Sequence, residues 1–306
     1  MIRIAEEVKD ALREGRAVVA LESTIVAHGM PYPENLATGQ RLEQTVRDQG
    51  AVPATIAVID GVLAVGISAA ELVRIATEKT VEKVSRRDLP FVIASGALGA
   101  TTVSATMIGA ARAGIAVFAT GGIGGVHREV NETLDISADL AELGRTNVCV
   151  VCAGIKSILD LPRTLEVLET LGVPVVGWGT NELPAFFTRT SGITLERRVE
   201  NATMMARILD AKWKLGLEGG VVLAVPPPES AALLQADIDP VIEAALTNAH
   251  ALGIHGKATT PFLLREIREA TKGRSLSANI ALTAQNAEVA ARVAVAYADS
   301  LRARYH

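Results

Sequence analysis

The chain has 306 residues, 49% of them hydrophobic but only 3% aromatic, so Ala, Val, Leu and Ile must fill its core. That length suits one large α/β domain or two smaller ones. The net charge of −4 gives no reason to expect binding to a nucleic-acid polymer, and no stretch approaches the roughly 20 apolar residues of a membrane helix.

The N-terminus, "MIRIAEEVKDALREG", is charged throughout and lacks the apolar segment of a secretory signal, so a cytoplasmic location is expected. Ile4, Val8 and Leu12 have helical spacing, which predicts an amphipathic helix over residues 3–14. "AVVAL" (17–21) reads as a strand, "ESTIVAHGMPYPEN" (22–35) as a polar, Pro-rich loop, and Asn35 to Gln49 as a helix. In "TIAVIDGVLAVG" (55–66), Asp60-Gly61 joins two apolar runs with the residues of a type I′ turn, so the sheet includes an antiparallel pair. "IAVFA" (115–119), "NVCVV" (147–151), "VPVVGW" (173–178) and "VVLAV" (221–225) are short apolar runs separated by helix-like sequence, the pattern of buried parallel strands in βαβ units. Helices are predicted near 199–215, 230–252, 261–271 and 277–303. There is no repeat, biased linker or charge block. The expectation is one domain over 1–306, a three-layer α/β/α arrangement with a mixed, mostly parallel central sheet.

Cys149 and Cys152 have CxxC spacing but sit in an apolar strand. An odd spacing there points the two side chains to opposite faces, so they read as small core residues and not as a redox or metal pair.

In sheets of this kind the chemistry lies at the carboxyl ends of the strands. Glu22 follows the first apolar run, "TGGIGGVHR" with His127 follows "IAVFA", and Lys156 follows "NVCVVC". The loop "GGIGG" (121–125) lacks both a dinucleotide fingerprint and a Walker lysine; it reads as a tight turn that lets a substrate approach the backbone. "DISAD" (135–139) spaces Asp135 and Asp139 to share one helix face. Two hard oxygen ligands there suit Mg²⁺ or Mn²⁺, but Asp139-x-x-Glu142 is equally a helix-start pattern. Lys83, Arg86 and Arg87 in "EKVSRRDLP" either hold an anion such as a phosphate or form a solvated patch.

Lys156 has two readings. Its stem lies on apolar surface with the amine in solvent, or the amine is a nucleophile that forms a Schiff base. An amine attacks carbon only when unprotonated. Desolvation, a second cation such as Lys83, and a helix N-terminus opening at Ser157-x-x-Asp160 or near Pro162 would all favour that form.

Taken in order, "ALESTIVAHGMPYPENL", "VPATIAVIDG", "KVSRRDL", "GATTVSATM", "FATGGIGGVHR", "DISADL", "VVCAGIKSILDL", "LPAFF.RTSG" and "GKATTPFLL" resemble the pseudouridine-5′-phosphate glycosidase family, which also includes the indigoidine-synthesis A proteins. The likeness spans about residues 15 to 290. It implies reversible cleavage of the carbon–carbon bond between uracil C5 and ribose C1′ of pseudouridine 5′-phosphate. It also implies dependence on a divalent metal, usually Mn²⁺, an α/β/α fold and a homotrimer. By this resemblance Lys156 is the nucleophile, Glu22 the proton donor and Asp135 the metal-binding aspartate. Lys83, Val103, Ser137, Ala138 and Asp139 contact substrate, and His127 and Asn279 line the pocket. One departure is visible. Where the family usually reads Ala-Asn-Pro-Ile-Pro, this chain has "AVPPP" from Ala224 to Pro228, so Val225 replaces an asparagine, a change expected to touch base or ribose contacts. The rival readings are a sugar or nucleoside kinase of similar architecture and a non-enzymatic binder of nucleotides or sugar phosphates. The first would need a triphosphate cradle, and the second would have no use for an amine and an acid at strand ends.

Overall fold

A computed structural model describes residues 1–254 and 256–303. In chain order the strands of the central sheet are β1 (Ile2–Ile4), β2 (Val18–Leu21), β3 (Val52–Ile59), β4 (Val62–Val65), β5 (Glu82–Val84), β6 (Gly99–Thr101) and β7 (Val117–Ala119). After β8 (Val126–His127), which lies outside it, the sheet continues with β9 (Cys149–Cys152). A second outside strand, β10 (Leu159–Asp160), precedes β11 (Val175–Trp178), β12 (Arg198–Val199) and β13 (Val221–Ala224). The order across the sheet is β1-β4-β3-β2-β7-β9-β13-β11-β12, with β6 also pairing β3 and β5 pairing β6. From β3 to β12 every neighbour is parallel; β4 and β6 run antiparallel to β3. The sheet is therefore mixed and mostly parallel, as the patterning predicts.

Helices cover both faces because the parallel strands are apolar on both sides. In β2, Val18 and Ala20 enter one core and Val19 and Leu21 the other. The first face carries α1 (Glu6–Arg13), α6 (Val103–Ala113), α8 (Ala138–Leu143) and α9 (Leu161–Thr170). The second carries α3 (Glu34–Asp48), α10 (Ala202–Lys214) and the long α13 (Arg274–Arg302). Short helices α2 (Thr24–His28) and α4 (Ala69–Thr77) extend that layer. The short α5 (Leu89–Ala94) and α7 (Val130–Thr133) pack Leu89, Val92 and Val130 against the first core. Helices α11 (Gln235–Ala251) and α12 (Thr259–Ala270) close the first face. Each fully buried Val, Leu or Ile in these layers contributes roughly 1.5–3 kcal/mol. Small alanines let α13 lie close to the strands: Ala287, Ala290, Ala291 and Ala294 are all buried on it.

Two local expectations change. Residues 2–4 form an edge strand parallel to β4 and the helix starts only at Glu6, because β4 offers Ile2–Ile4 a ladder that helical periodicity cannot reveal. The Pro-rich loop after β2 contains α2, whose Ile25 and Val26 are buried. The Asp60-Gly61 hairpin holds: both residues take positive φ, 48° and 77°, as a type I′ turn requires. Among the described residues no helix is long and apolar enough to cross a membrane.

Cys149 packs in the core under α13 and Cys152 in the opposite one. Burial pushes the Cys149 thiol well above its ordinary range and that of Cys152 up to about 12. Thiolate reagents should therefore label neither cysteine in the native protein at pH 8 over minutes and both in urea. Rapid native labelling by a chromogenic disulfide would contradict this packing.

Candidate active site

The carboxyl ends of β2, β7 and β9 open on a cavity of about 390 Å³. Glu22, Lys83, Val103, His127, Asp135, Ser137, Ala138, Asp139, Lys156 and Asn279 all line it. Residues scattered over most of the sequence therefore share one space. The parallel pairing of β2 with β7 and of β7 with β9 forces this, since it delivers the three following loops to one edge.

Glu22 is the first residue beyond β2. Burial pushes its carboxyl above the usual glutamate range. Lys156 and the Thr120 hydroxyl pull against that shift, as does Lys83 more weakly, while Asp139 adds to it. Thr120, the first residue beyond β7, donates its hydroxyl hydrogen to Glu22 Oε1. The next residue, Ser23, is fully buried. It donates to the Ile56 carbonyl at 2.6 Å and accepts the Thr101 N–H at 2.9 Å, and Thr101 Oγ1 also donates to Ile56 at 2.6 Å. This satisfied polar cluster ties the end of β2 to the end of β6, so the acid cannot drift relative to the start of α6.

Lys156 lies in a turn fixed from both sides. Its N–H donates to the Ile123 carbonyl at 3.1 Å, and its carbonyl accepts from Leu159 N–H at 3.0 Å. Just beyond, β10 pairs antiparallel with β8, setting Leu159 opposite His127. A strand therefore separates Lys156 from α9. That helix starts at Leu161, capped by Asp160, which accepts the Arg163 N–H, with Pro162 in its first turn. Of the two predicted helix starts only the one near Pro162 forms, and the lysine is not at the helix terminus itself. Arg128 locks the turn, donating to the Ser157 carbonyl at 2.9 Å and pairing with Glu243.

The two aspartates of "DISAD" part company. Asp135 is in the loop before α8, and Ser137 is the N-cap, so the aspartates do not share a helix face. Asp139 is buried, and its oxygens accept the N–H of Ser104 at 3.0 Å and of Gly124 at 2.9 Å. It holds the first turn of α6 against the glycine loop. The helix-start pattern is not used by Glu142 either. That carboxylate is fully buried and takes the Arg86 guanidinium in a two-pronged pair, with Nη2 at 3.1 Å from Oε1. Arg86 is thus committed to the protein, while Arg87 lies 3.8 Å from Asp88 and is exposed. Lys83 is the cation of that group whose charge reaches Glu22, His28 and His127.

Asp135 is half-exposed to the cavity, with its Oδ2 3.8 Å from His127 Nε2. Burial holds the His127 imidazole below its ordinary value, partly offset by Asp135. Among the described residues no three His, Cys, Asp or Glu side chains cluster as a metal cage. One open carboxylate fits a hard cation such as Mn²⁺ that keeps most of its waters; it does not fit a closed structural site.

The glycine loop 121–125 is shaped by the protein itself. A Cβ on Gly122 would stand 2.6 Å from the Phe186 ring, on Gly124 2.2 Å from Ser137 Oγ, and on Gly125 2.4 Å from Thr164 Oγ1. Side chains closing on the loop therefore require these glycines. Phe186 itself has φ 60°, an uncommon conformation for a bulky residue, and lines the cavity. Val225 does not line it. Its side chain is fully buried in the core beneath α13, so the departure from the family pattern falls on packing and not on base or ribose contacts. Sequence reasoning missed Thr120 and Phe186. The strand-end rule that selects Glu22 and its neighbour Ser23 also reaches Thr120, one residue past "IAVFA"; nothing local marks Phe186.

Residues 7–296 match the family model described as indigoidine synthase A like protein. The chain is 58% identical over 294 residues to a pseudouridine-5′-phosphate glycosidase of Caldanaerobacter subterraneus subsp. tengcongensis, with 96% of each chain covered. Among solved structures, it matches the prealnumycin C-glycosynthase AlnA in complex with ribulose 5-phosphate, with a TM-score of 0.91, 39% identity and 99% of each chain covered. An indigoidine synthase A-like protein of Thermotoga maritima matches with a TM-score of 0.89 and 37% identity, over 97% of each chain.

A carboxyl raised by burial binds its proton more tightly in the folded than in the unfolded chain. Its stabilising contribution is present below the unfolded value and is lost as pH rises through the folded one. Glu22→Gln should therefore raise the thermal midpoint more at pH 8 than at pH 5, by about 2 °C or more. An equal change at both pH values would contradict the burial assigned to Glu22.

Proposed function

The chain belongs to the indigoidine synthase A-like family, and on that premise we propose that it is a pseudouridine-5′-phosphate glycosidase, the whole chain forming one catalytic domain. One observation carries the reading: an amine, Lys156, and a buried carboxyl, Glu22, line the same cavity and lie close enough for the charge of one to bear on the other. A binding protein has no need of that pair. The relative from Caldanaerobacter subterraneus is a pseudouridine-5′-phosphate glycosidase, and the matched AlnA is a C-glycosynthase; both likenesses support the reading.

The leaving atom explains the residues. Uracil departs through C5, so that carbon must gain a proton as the bond to C1′ breaks. In the proposed sequence the ribose ring opens as the C1′–O4′ bond breaks, its electron pair staying on O4′; the Lys156 amine adds to C1′, and the proton it loses balances the one O4′ gains. Glu22 then delivers a proton to C5. The C5–C1′ electron pair restores the C5–C6 double bond of uracil, and the lysine nitrogen lone pair forms the imine to C1′. Water hydrolyses that imine, releasing ribose 5-phosphate. Covalent capture divides one difficult step into easier ones.

Lys83, Val103 and the Ser137–Asp139 segment would hold the phosphate and ribose. Val103 is the first residue of α6 and lines the cavity beside Ser104, whose N–H is taken by Asp139. Asp135 would hold Mn²⁺, which supplies positive charge to the sugar end of the cavity when bound. His127 and Asn279 would complete the wall. A homotrimer and a cytoplasmic location complete the proposal.

The purified protein with Mn²⁺ should release uracil from pseudouridine 5′-phosphate, and far more slowly from pseudouridine, since the remote phosphate supplies orientation. Borohydride reduction in the presence of ribose 5-phosphate should attach the sugar to Lys156, as read by peptide mass. Absence of uracil release, or a label on another lysine, would sink the assignment. Asp135→Ala should abolish the response to added Mn²⁺ while leaving the fold intact by circular dichroism; an unchanged metal response would remove Asp135 from that role.

A further inference from the structure

Thr120 and Asn286 are assigned no part in the reaction above, yet both are placed behind its acid. Thr120 is 1% exposed, and its hydroxyl has one hydrogen to give. Among the described residues its acceptor is Glu22 Oε1. The peptide that follows Thr120 is held from the opposite layer. Asn286, buried on α13, donates Nδ2 to the Thr120 carbonyl at 2.8 Å and to the Gly121 carbonyl at 3.3 Å. From the other side, Thr120 N–H donates to the Val151 carbonyl at 3.0 Å. The Thr120 backbone is therefore fixed from two layers, which places its hydroxyl within reach of Glu22.

We infer that Thr120, anchored by Asn286, is a positioning residue that occupies one carboxyl oxygen of Glu22 and so confines the transferable proton to the other, Oε2. This rests on the reading of Glu22 as the acid. In the protonated acid, Oε1 is the carbonyl oxygen and accepts from Thr120, and Oε2 carries the hydrogen. When that hydrogen passes to uracil C5, Glu22 is left as a carboxylate, and the same Thr120 hydrogen bond stabilises the new charge. The water consumed in imine hydrolysis supplies the hydrogen that restores the acid. One hydroxyl thus orients the donor before transfer and steadies it afterwards, with no change of partner.

The charged groups that face Glu22 are Lys156, Asp139 and Lys83. A change at Thr120 leaves all three in place, so its effect can be read separately. The hydrogen bond holds the Glu22 carboxyl lower than burial alone would. Thr120→Val keeps the shape and removes the donor; Thr120→Ser keeps the donor.

The experiment measures kcat and KM for uracil release against pH in the wild type, Thr120→Val, Thr120→Ser and Glu22→Gln. The valine variant should lose roughly 10–100-fold in kcat, part of the roughly 10²–10⁴ that a positioned acid supplies, with KM little changed. Its basic limb should move to higher pH, and serine should restore both rate and limb. If valine and serine are equally impaired and their limbs coincide with that of the wild type, Thr120 only packs and the inference fails. If Glu22→Gln retains base release, the acid assignment itself is wrong, an outcome distinct from the first. Should the valine variant not fold, the infrared carbonyl band of protonated Glu22, identified by its loss in Glu22→Gln, decides. A frequency lowered by hydrogen bonding upholds the inference, and a free-carbonyl frequency overturns it.

Discussion

One carboxylate, that of Asp139, sets the shape of the site. Its two oxygens take backbone N–H groups from two segments, Ser104 in the first turn of α6 and Gly124 in the glycine loop. A buried carboxylate is costly unless its oxygens are hydrogen-bonded, and bonds to an ionised acceptor are stronger than neutral ones. The arrangement therefore tolerates little displacement: moving either segment would leave a charge unsatisfied in the interior. From it follow the placement of Val103, the close approach of Ser137 to Gly124, and the path of the loop from Thr120 to His127 along the cavity.

Against that fixed floor the electrostatics at Glu22 are a contest. Removal from water favours the neutral acid, and two lysines and a threonine hydroxyl favour the carboxylate; burial prevails. The groups that oppose burial favour the carboxylate left when the proton departs, which is what an acid that must give up and regain a proton requires. The same balance explains why the polar cluster of Ser23, Thr101 and Ile56 lies next to it. A donor whose strength depends on its surroundings needs those surroundings held still, and three short hydrogen bonds between β2, β3 and β6 do so.

Lys156 and its neighbours show how backbone pairing substitutes for a helix terminus. The sequence suggests a helix dipole beneath the amine. The chain instead forms the small β8–β10 ribbon, and Arg128 spans from it to Ser157 and α11. Rigid positioning of the lysine thus comes from peptide pairing and one guanidinium, not from the first turn of α9.

The sequence by itself determined the parallel strands, the hairpin at Asp60-Gly61, the opposite facing of the two cysteines and, through its ordered motifs, the residues that meet in the cavity. These are legible because periodicity, turn chemistry and strand-end position are local properties written in neighbouring residues. Only the tertiary structure decided that Asp139 serves the backbone while Asp135 faces the cavity, and that Arg86 is spent on Glu142. It alone decided that Val225 lies in the core and that Thr120 reaches Glu22 across 98 positions of sequence. Such pairings arise when the sheet stacks β2 beside β7 and the helices close over them. They depend on which distant groups are left to satisfy a buried donor or acceptor, and a chain read residue by residue carries no periodic trace of that choice.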